Sequence, residues 1–432
     1  MRVDADKKQR RKIRALKKKS DKHILEYILK ISEDVHNITD IDILLDKLLY
    51  EVRKFTNAEG GTIFLADEGS LKIRYTQNDT LFKDASMKYK YLGQEIPVSN
   101  DSIAGCAAKT GKLSVFKDVY HRGKSCKCGF NRQFDLSANY RTKSVLAVPL
   151  KTVRNKVIGV IQLVNAKDEK DAIISFSGKD QLFVSYFGND AAVAIEKATA
   201  TREMIMRMLR MVEFRDPKET GGHVNRMGAY AVEIYDRWAV KRGFPQELIR
   251  RFKDKYRIAA MLHDAGKVGV SDKILKKPGK LDDDEYKIMK MHTVLGYRLF
   301  ANTNSEIDAM AAEVALHHHE RWDGNGYPGK QDDLFGISVV EPCRGKEEIE
   351  IPVTGRIVAV ADVYDALISK RIYKDSWPEE KVLEFIKENA GKHFDPEVVE
   401  AFFDIYDVIK AIREKFVEEP STMEAPPKQA EN

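Results

Sequence analysis

Two different periodicities divide the chain, and the switch between them bounds what it can fold into. Between residues 60 and 165, short runs rich in β-branched residues (62–66, 71–75, 144–150 and 157–164) are punctuated by Gly and Asn, the pattern of strands joined by turns. Asn155 falls in a hairpin-like turn between the last two runs. Ahead of them, Ile24, Leu25, Ile28 and Leu29, then Ile43, Leu44, Leu48, Leu49 and Val52, recur at helical spacing. The break at Asn37-Ile38-Thr39-Asp40 predicts two helices flanking a capped turn. From about residue 180 the helical period returns and persists, apart from loops near 270–280 and 321–356. The expected fold class is therefore multidomain: a small α+β domain, a long connecting helix and an all-α bundle.

At 432 residues the chain is long enough for two or three cores, and 43% hydrophobic with 32% charged residues is the balance of ordinary globular domains. No apolar run approaches the ~18 residues needed to span a bilayer, and the N-terminus opens on charges, so a cytoplasmic location is expected. Residues 1–22 hold eleven Lys or Arg against three Asp, which places the net +6 in a basic leader and leaves the remainder slightly acidic. A solvated leader is expected, with no specific nucleic-acid partner. Residues 418–432, rich in Pro, Glu and Ala, are expected to be disordered. Cys106, Cys126, Cys128 and Cys343 are too few and too irregular for a disulfide framework and fit a reducing compartment. Cys126-Lys127-Cys128 has the form of a soft-metal or redox pair, but no second pair completes a tetrahedral zinc set.

The chemistry concentrates in histidines. Seven of ten follow residue 220: His223, His263, His292, His317, His318, His319 and His393. His263-Asp264 ends the apolar helical stretch Ala259-Ala260-Met261-Leu262, where two ionisable residues are costly unless bound to something. A His beside a carboxylate is a natural ligand pair for one divalent cation or two. Lys267 lies four residues beyond His263, on the same face if the helix continues, where an ammonium can hold a phosphate. Glu219 and His223 also stand four apart, and His318-His319-Glu320 and Asp362-Val363-Tyr364-Asp365 add further ligand types. Counting His292, five such segments in one helical domain point to shared cations rather than to unrelated core histidines.

Residues 38–198 resemble a GAF domain. The features are the helix before Gly60-Gly61-Thr62-Ile63-Phe64, then Ser102-Ile103-Ala104-Gly105, the paired strands at 144–150 and 157–165, and Phe176-Ser177-Gly178-Lys179-Asp180. The resemblance implies a sensing or dimerising module for an unidentified small molecule. Asn165, Lys167, Phe176 and Asp180 partly match the signature of cyclic-nucleotide-binding members, with Lys167 displaced by one residue and Gln181 in place of Glu. The sensor with its leading helices is placed at 23–198 and the connecting helix at 180–215. Phe187, Ala191, Ala194, Ala198, Thr201, Ile205, Met208 and Val212 follow a heptad there, a seam suited either to a parallel homodimer or to packing on the helix's own domain.

Residues 205–415 resemble the HD-GYP subfamily of the HD phosphohydrolases. The matching motifs are His263-Asp264 with Gly266-Lys267-Val268-Gly269-Val270, the run Ile274 to Leu281, His292, His318-His319-Glu320 through Gly326-Tyr327-Pro328, the run Arg356 to Leu367, and Gly391 to Pro396. The resemblance implies hydrolysis of cyclic di-GMP to pGpG, and on to GMP, at two or three divalent metals, iron first and manganese as the alternative. It implies Glu219, His223, His263, Asp264, His292, His318, His319 and Asp362 as metal ligands, Asp264 bridging, with Glu219 serving a third metal. Lys267, Tyr327, Arg371 and Lys374 match substrate-binding positions, and Asp264 and Lys267 carry the catalytic assignment. The stretch 330–355 is longer than family members carry and leaves open a lid, a partner site or a plain surface loop. The competing readings are a silent adaptor that binds nucleotide or protein, and a phosphodiesterase for another cyclic dinucleotide.

Overall fold

The computed structural model describes residues 21–82, 89, 91–121, 127–213, 221–303, 305–331, 334–335, 344–369 and 376–416. Contacts divide the chain after Glu203 into two units.

The first unit opens with α1 (Asp21–His36) and α2 (Ile41–Thr56). Asp40 caps α2, its carboxylate accepting from the amides of Asp42 at 2.9 Å and Ile43 at 3.1 Å, and Asn57 ends the helix in the left-handed region at φ 55°. Six strands follow the order β3 (Glu95–Pro97), β2 (Ser70–Asn78), β1 (Ala58–Asp67), β6 (Val157–Lys167), β5 (Val145–Lys151) and β4 (Ser114–Phe116). β7 (Ile173–Ile174) pairs with β6, and every pairing is antiparallel. Asn155, at φ 59°, turns β5 into β6, with Thr152 and Lys156 closing the hairpin through a 3.0 Å backbone bond. One core joins Leu44, Leu48, Val52, Ile161 and Leu163 to residues of α5 (Gly178–Glu213), and a second gathers Phe64, Leu71 and Val160 around α3 (Ile103–Thr110). α4 (Gln133–Ser137) is a single short turn.

The structure decides part of one open choice and pairs one cysteine differently. Phe187, Ala191, Ala194 and Ala198 are buried in the core of their own unit, so the first half of the heptad seam is spent on its own domain. The 4–3 spacing suits either partner, which is why the sequence left the choice open. The later positions differ: Thr201, Ile205 and Val212 are half-buried and Met208 is exposed. Cys128 is joined to Cys106, 22 residues away, in a disulfide rather than in a pair with Cys126, which lies outside the described residues.

The signature-like residues have structural partners. Asn165 holds the amide of Lys143, the carbonyl of Arg141 and the carboxylate of Glu59, Lys167 pairs with Glu59 at 2.7 Å, Phe176 is core, and the Asp180 carboxylate accepts from the amide and hydroxyl of Ser177 just ahead of α5.

The second unit is helical: α6 (Gly221–Lys241), α7 (Gln246–Met261), a 3-10 turn (Ala265–Gly269), α8 (Asp272–Leu275), α9 (Asp283–Lys290), α10 (His292–Phe300) and α11 (Glu306–His317). A second 3-10 turn (Glu348–Glu350), α12 (Val353–Ile368), α13 (Glu379–Glu388), α14 (Pro396–Asp404) and α15 (Tyr406–Lys415) complete it. α6 packs on α7, α12, α14 and α15, and α11 packs on α7, α10 and α12. Tyr230, Tyr256, Tyr364 and Phe402 fill the interior. Gly266 lets the first 3-10 turn press onto the start of α10, since a Cβ there would collide with the carbonyl of His292 and the backbone of Gly296. That contact sets His263 and Asp264 beside His292. Among the described residues, no helix is long and apolar enough to cross a membrane.

Candidate metal centre

α7 stops at Met261, and the chain bends through His263 and Asp264 into the 3-10 turn. His263 Nδ1 lies 2.9 Å from the carbonyl of Ala260, His292 Nδ1 2.8 Å from that of Met289, and His318 Nδ1 3.0 Å from that of Ala315. Each contact is to the third residue back, so local helical geometry fixes the tautomer: Nδ1 donates and Nε2 keeps its lone pair. His223, near the start of α6, is oriented instead by a carboxylate, Nδ1 to Asp365 Oδ2 at 2.8 Å.

These rings converge in two groups. Asp264, His292, His318 and His319 offer ligand atoms within 4.8 Å of one another, and so do His223, His263 and Asp362. Asp264 faces both groups. Its Oδ1 is 3.3 Å from His292 Nε2 and 3.6 Å from His318 Nε2, while its Oδ2 is 3.2 Å from His263 Nε2.

The donor set fits cations on two physical grounds. The Nε2 atoms of His292 and His318 stand 3.4 Å apart with both Nδ1 atoms committed as donors, so two lone pairs face each other across a gap that a positive ion would fill. Asp264 Oδ1 is buried without a hydrogen-bond partner, a costly state for a carboxylate oxygen unless an ion takes it. Burial also pushes the imidazoles of His292, to about 4, and of His319 toward the neutral form that ligates metals. Burial opposes ionisation of Asp264 too, but Lys267 and His263 outweigh it and hold the carboxyl well below its ordinary range.

Lys267 reaches the site by another route than the expected continuous helix. The 3-10 turn places it three residues after Asp264, with Nζ 2.9 Å from Oδ2. Tyr327 stacks on His319 at 4.7 Å between ring centroids. Gly324, at φ 76°, turns the loop before it. Glu320 is not among the clustered ligands: it accepts from the amides of Gly329 at 2.7 Å and Lys346 at 3.3 Å, tying the Tyr327 loop to the segment after it. His317 is buried and sits 3.2 Å from Lys346 Nζ, outside both groups, and His393 stacks on Phe394. The neck of the long stretch 330–355 is fixed by Lys330 to Arg344 at 3.0 Å and a bridge between Asp323 and Glu347. Glu219, Arg371 and Lys374 lie outside the described residues.

Sequence reasoning missed Arg226, whose guanidinium grips Asp365 through Nε at 2.6 Å and Nη2 at 2.8 Å. A signal was present: Arg226 stands three residues after His223 as Asp365 stands three after Asp362, so each candidate ligand shares a helix face with one member of the Arg226–Asp365 pair. Tyr286 and Lys290 of α9, beside Tyr327, were missed as well.

Residues 220–367 match the HD domain, and residues 40–195 match the GAF domain. The chain carries a GAF domain followed by an HD domain. A second HD-domain description matches residues 341–398. Among curated relatives, the HD half is 42% identical over 202 residues to a cyclic di-GMP phosphodiesterase of Thermotoga maritima, covering 46% of this chain and 48% of that one. It is 37% identical over 220 residues to the 3'3'-cGAMP-specific phosphodiesterase 2 of Vibrio cholerae, covering 51% and 37%. A cyclic di-GMP phosphodiesterase of Vibrio cholerae is 39% identical over 223 residues, covering 50% and 41%. The chain thus spans less than half the length of these relatives.

Proposed function

We propose that the chain is a metal-dependent phosphodiesterase of the HD-GYP type that hydrolyses cyclic di-GMP to pGpG and on to GMP, under control of its GAF domain. The observation that carries this reading is Asp264, with one oxygen turned to each of two His-rich donor groups. His292, His318 and His319 with Oδ1 would hold one cation, and His223, His263 and Asp362 with Oδ2 a second; Glu219, by resemblance, would serve a third. Imidazole and carboxylate donors suit iron and manganese. Such cations supply a water acidic enough to attack at neutral pH and positive charge for the phosphoryl oxygens. The chain's own part is orientation and charge. Asp365 and three backbone carbonyls aim the imidazoles, Lys267 offers an ammonium to a phosphoryl oxygen, and the Tyr327 ring walls the cluster beside His319. Arg371 and Lys374, by resemblance, take the second phosphate. The GAF domain is the regulatory unit in this reading, with the connecting helix as the homodimer contact.

A relative specific for 3'3'-cGAMP keeps a second substrate in view. Purified, metal-replete protein incubated with a panel of cyclic dinucleotides is expected to consume cyclic di-GMP fastest. Asp264→Asn is expected to lower turnover by more than roughly the 10–100-fold that loss of an outer-shell partner costs, with metal content falling in parallel. A fully active Asp264→Asn variant with unchanged metal overturns the assignment.

A further inference from the structure

α9 presents a pair of side chains to the rim of the cluster. The Asp282–Glu285 capping box fixes where the helix starts, so Tyr286 and Lys290 fall four residues apart on one face. The Tyr286 ring is 46% exposed and stands 6.5 Å from the Tyr327 ring at an interplanar angle of 75°. Tyr327 leads inward, stacked on His319 and 6.3 Å edge-on to His292. Lys290 Nζ lies over both tyrosines, 4.6 Å from the Tyr286 centroid and 5.3 Å from that of Tyr327. Of the three acidic residues of α9, Asp284 pairs with Lys287 at 2.9 Å and Glu285 with Lys277, and Asp283 makes no ion pair with Lys290. Among the described residues, Lys290 has no ion pair, so its charge rests on ring faces alone. A half-exposed flat ring with a flexible lysine resting over it, next to the His and Asp cluster, can serve the two halves of a purine: the open π-face of Tyr286 to stack on, and an ammonium on a four-carbon stem that can swing to an acceptor-rich base edge.

We infer that Tyr286 and Lys290 form a guanine-reading edge of the substrate site. Tyr286 stacks a purine base of the cyclic dinucleotide, and Lys290 donates to its O6 and N7. A lysine has only donors to offer, so it favours guanine, whose Hoogsteen edge carries two acceptors, over adenine, whose edge adds a donor. The inference rests on the cyclic-dinucleotide reading and adds its base selectivity.

The test uses the full, metal-loaded chain with cyclic di-GMP and cyclic di-AMP. Tyr286→Ala is expected to raise KM for cyclic di-GMP by about 5- to 100-fold, the loss typical of one stacking platform, with kcat within about twofold and metal content unchanged. Lys290→Met, which keeps the stem and removes the charge, is expected to weaken cyclic di-GMP binding several-fold more than cyclic di-AMP binding and so narrow the preference. Wild-type KM and preference in both variants would overturn the inference. If the wild-type protein cleaves neither nucleotide, the proposed reaction fails, and equilibrium binding of cyclic di-GMP decides the edge separately. Weaker binding by the variants then supports it, and equal or absent binding rejects it.

Discussion

Asp365 shows how much of the candidate metal centre depends on a residue outside its two donor groups. It is 1% exposed and receives His223 Nδ1, Arg226 Nε and Arg226 Nη2. Burial works against its charge, yet the bonds from His223 and Arg226 prevail and hold the carboxyl well below its ordinary range. Arg226 also reaches the carbonyl of Phe416 at 2.7 Å, so the brace ties α6 to the end of α15. Asp365→Asn removes the charge that Arg226 was buried against, and breaking one side of such a pair costs about 3–5 kcal/mol. It also frees the His223 ring, which is expected to lower metal affinity roughly 10–100-fold. Thermal unfolding of metal-stripped protein reads the first effect, and metal titration of the folded protein reads the second. A variant with the wild-type melting temperature would show that the Arg226–Asp365 contact is not the brace. The clustering of these His and Asp residues was legible in the sequence because adjacent ionisable side chains in an apolar helix have no cheap alternative. Arg226 was not read, because its spacing three residues after His223 marks a shared helix face but names no partner until Asp365 is seen beside it.

Among elements, the strand runs, the Asn155 hairpin and the Asp40-capped turn followed from local chemistry and need no tertiary information. What the sequence could not show was which groups a strand brings together across the sheet. Glu59 on β1 is buried beneath Thr80 at 2.6 Å, Tyr140 at 2.6 Å, Asn165 at 2.9 Å and Lys167 at 2.7 Å, partners that lie from 21 to 108 residues away along the chain. Burial alone would raise its pKa, but the bonds from Lys167, Thr80, Tyr140 and Asn165 bring it down to about 2 from an ordinary 4.5. A carboxyl whose folded pKa is depressed contributes stability that is whole above its unfolded pKa and fades as pH falls toward the folded one. The Glu59 contribution is therefore complete above about pH 4.5 and lost progressively toward about pH 2. Comparing denaturation midpoints of the wild-type protein and Glu59→Gln from pH 6 downward should show the gap between them closing across that window. A gap that does not change with pH would mean the network is held by shape and not by charge.

At the scale of the molecule, the question is how a GAF domain and an HD domain on one chain communicate. α5 spends Phe187, Ala191, Ala194 and Ala198 on the GAF core, which fixes the rotation of the helix relative to the sheet it packs on. Beyond residue 200 the same helix leaves Met204, Met208 and Met211 exposed, a row spaced four and three residues apart. If that stretch carries the signal, its phase matters more than its length. One residue inserted after Glu203 turns everything downstream by about 100°, whereas seven residues add close to two full turns and return the phase to within about 20°. If the proposed activity holds, the 432-residue chain with the single insertion is expected to hydrolyse cyclic di-GMP at a rate changed several-fold, with unaltered metal content. The seven-residue insertion should then move the rate back toward that of the parent. Equal rates in all three proteins would exclude rotation of this helix as the route between the domains. A loss common to both insertions would instead identify the local sequence around Glu203, and not the helical phase, as what the HD domain requires.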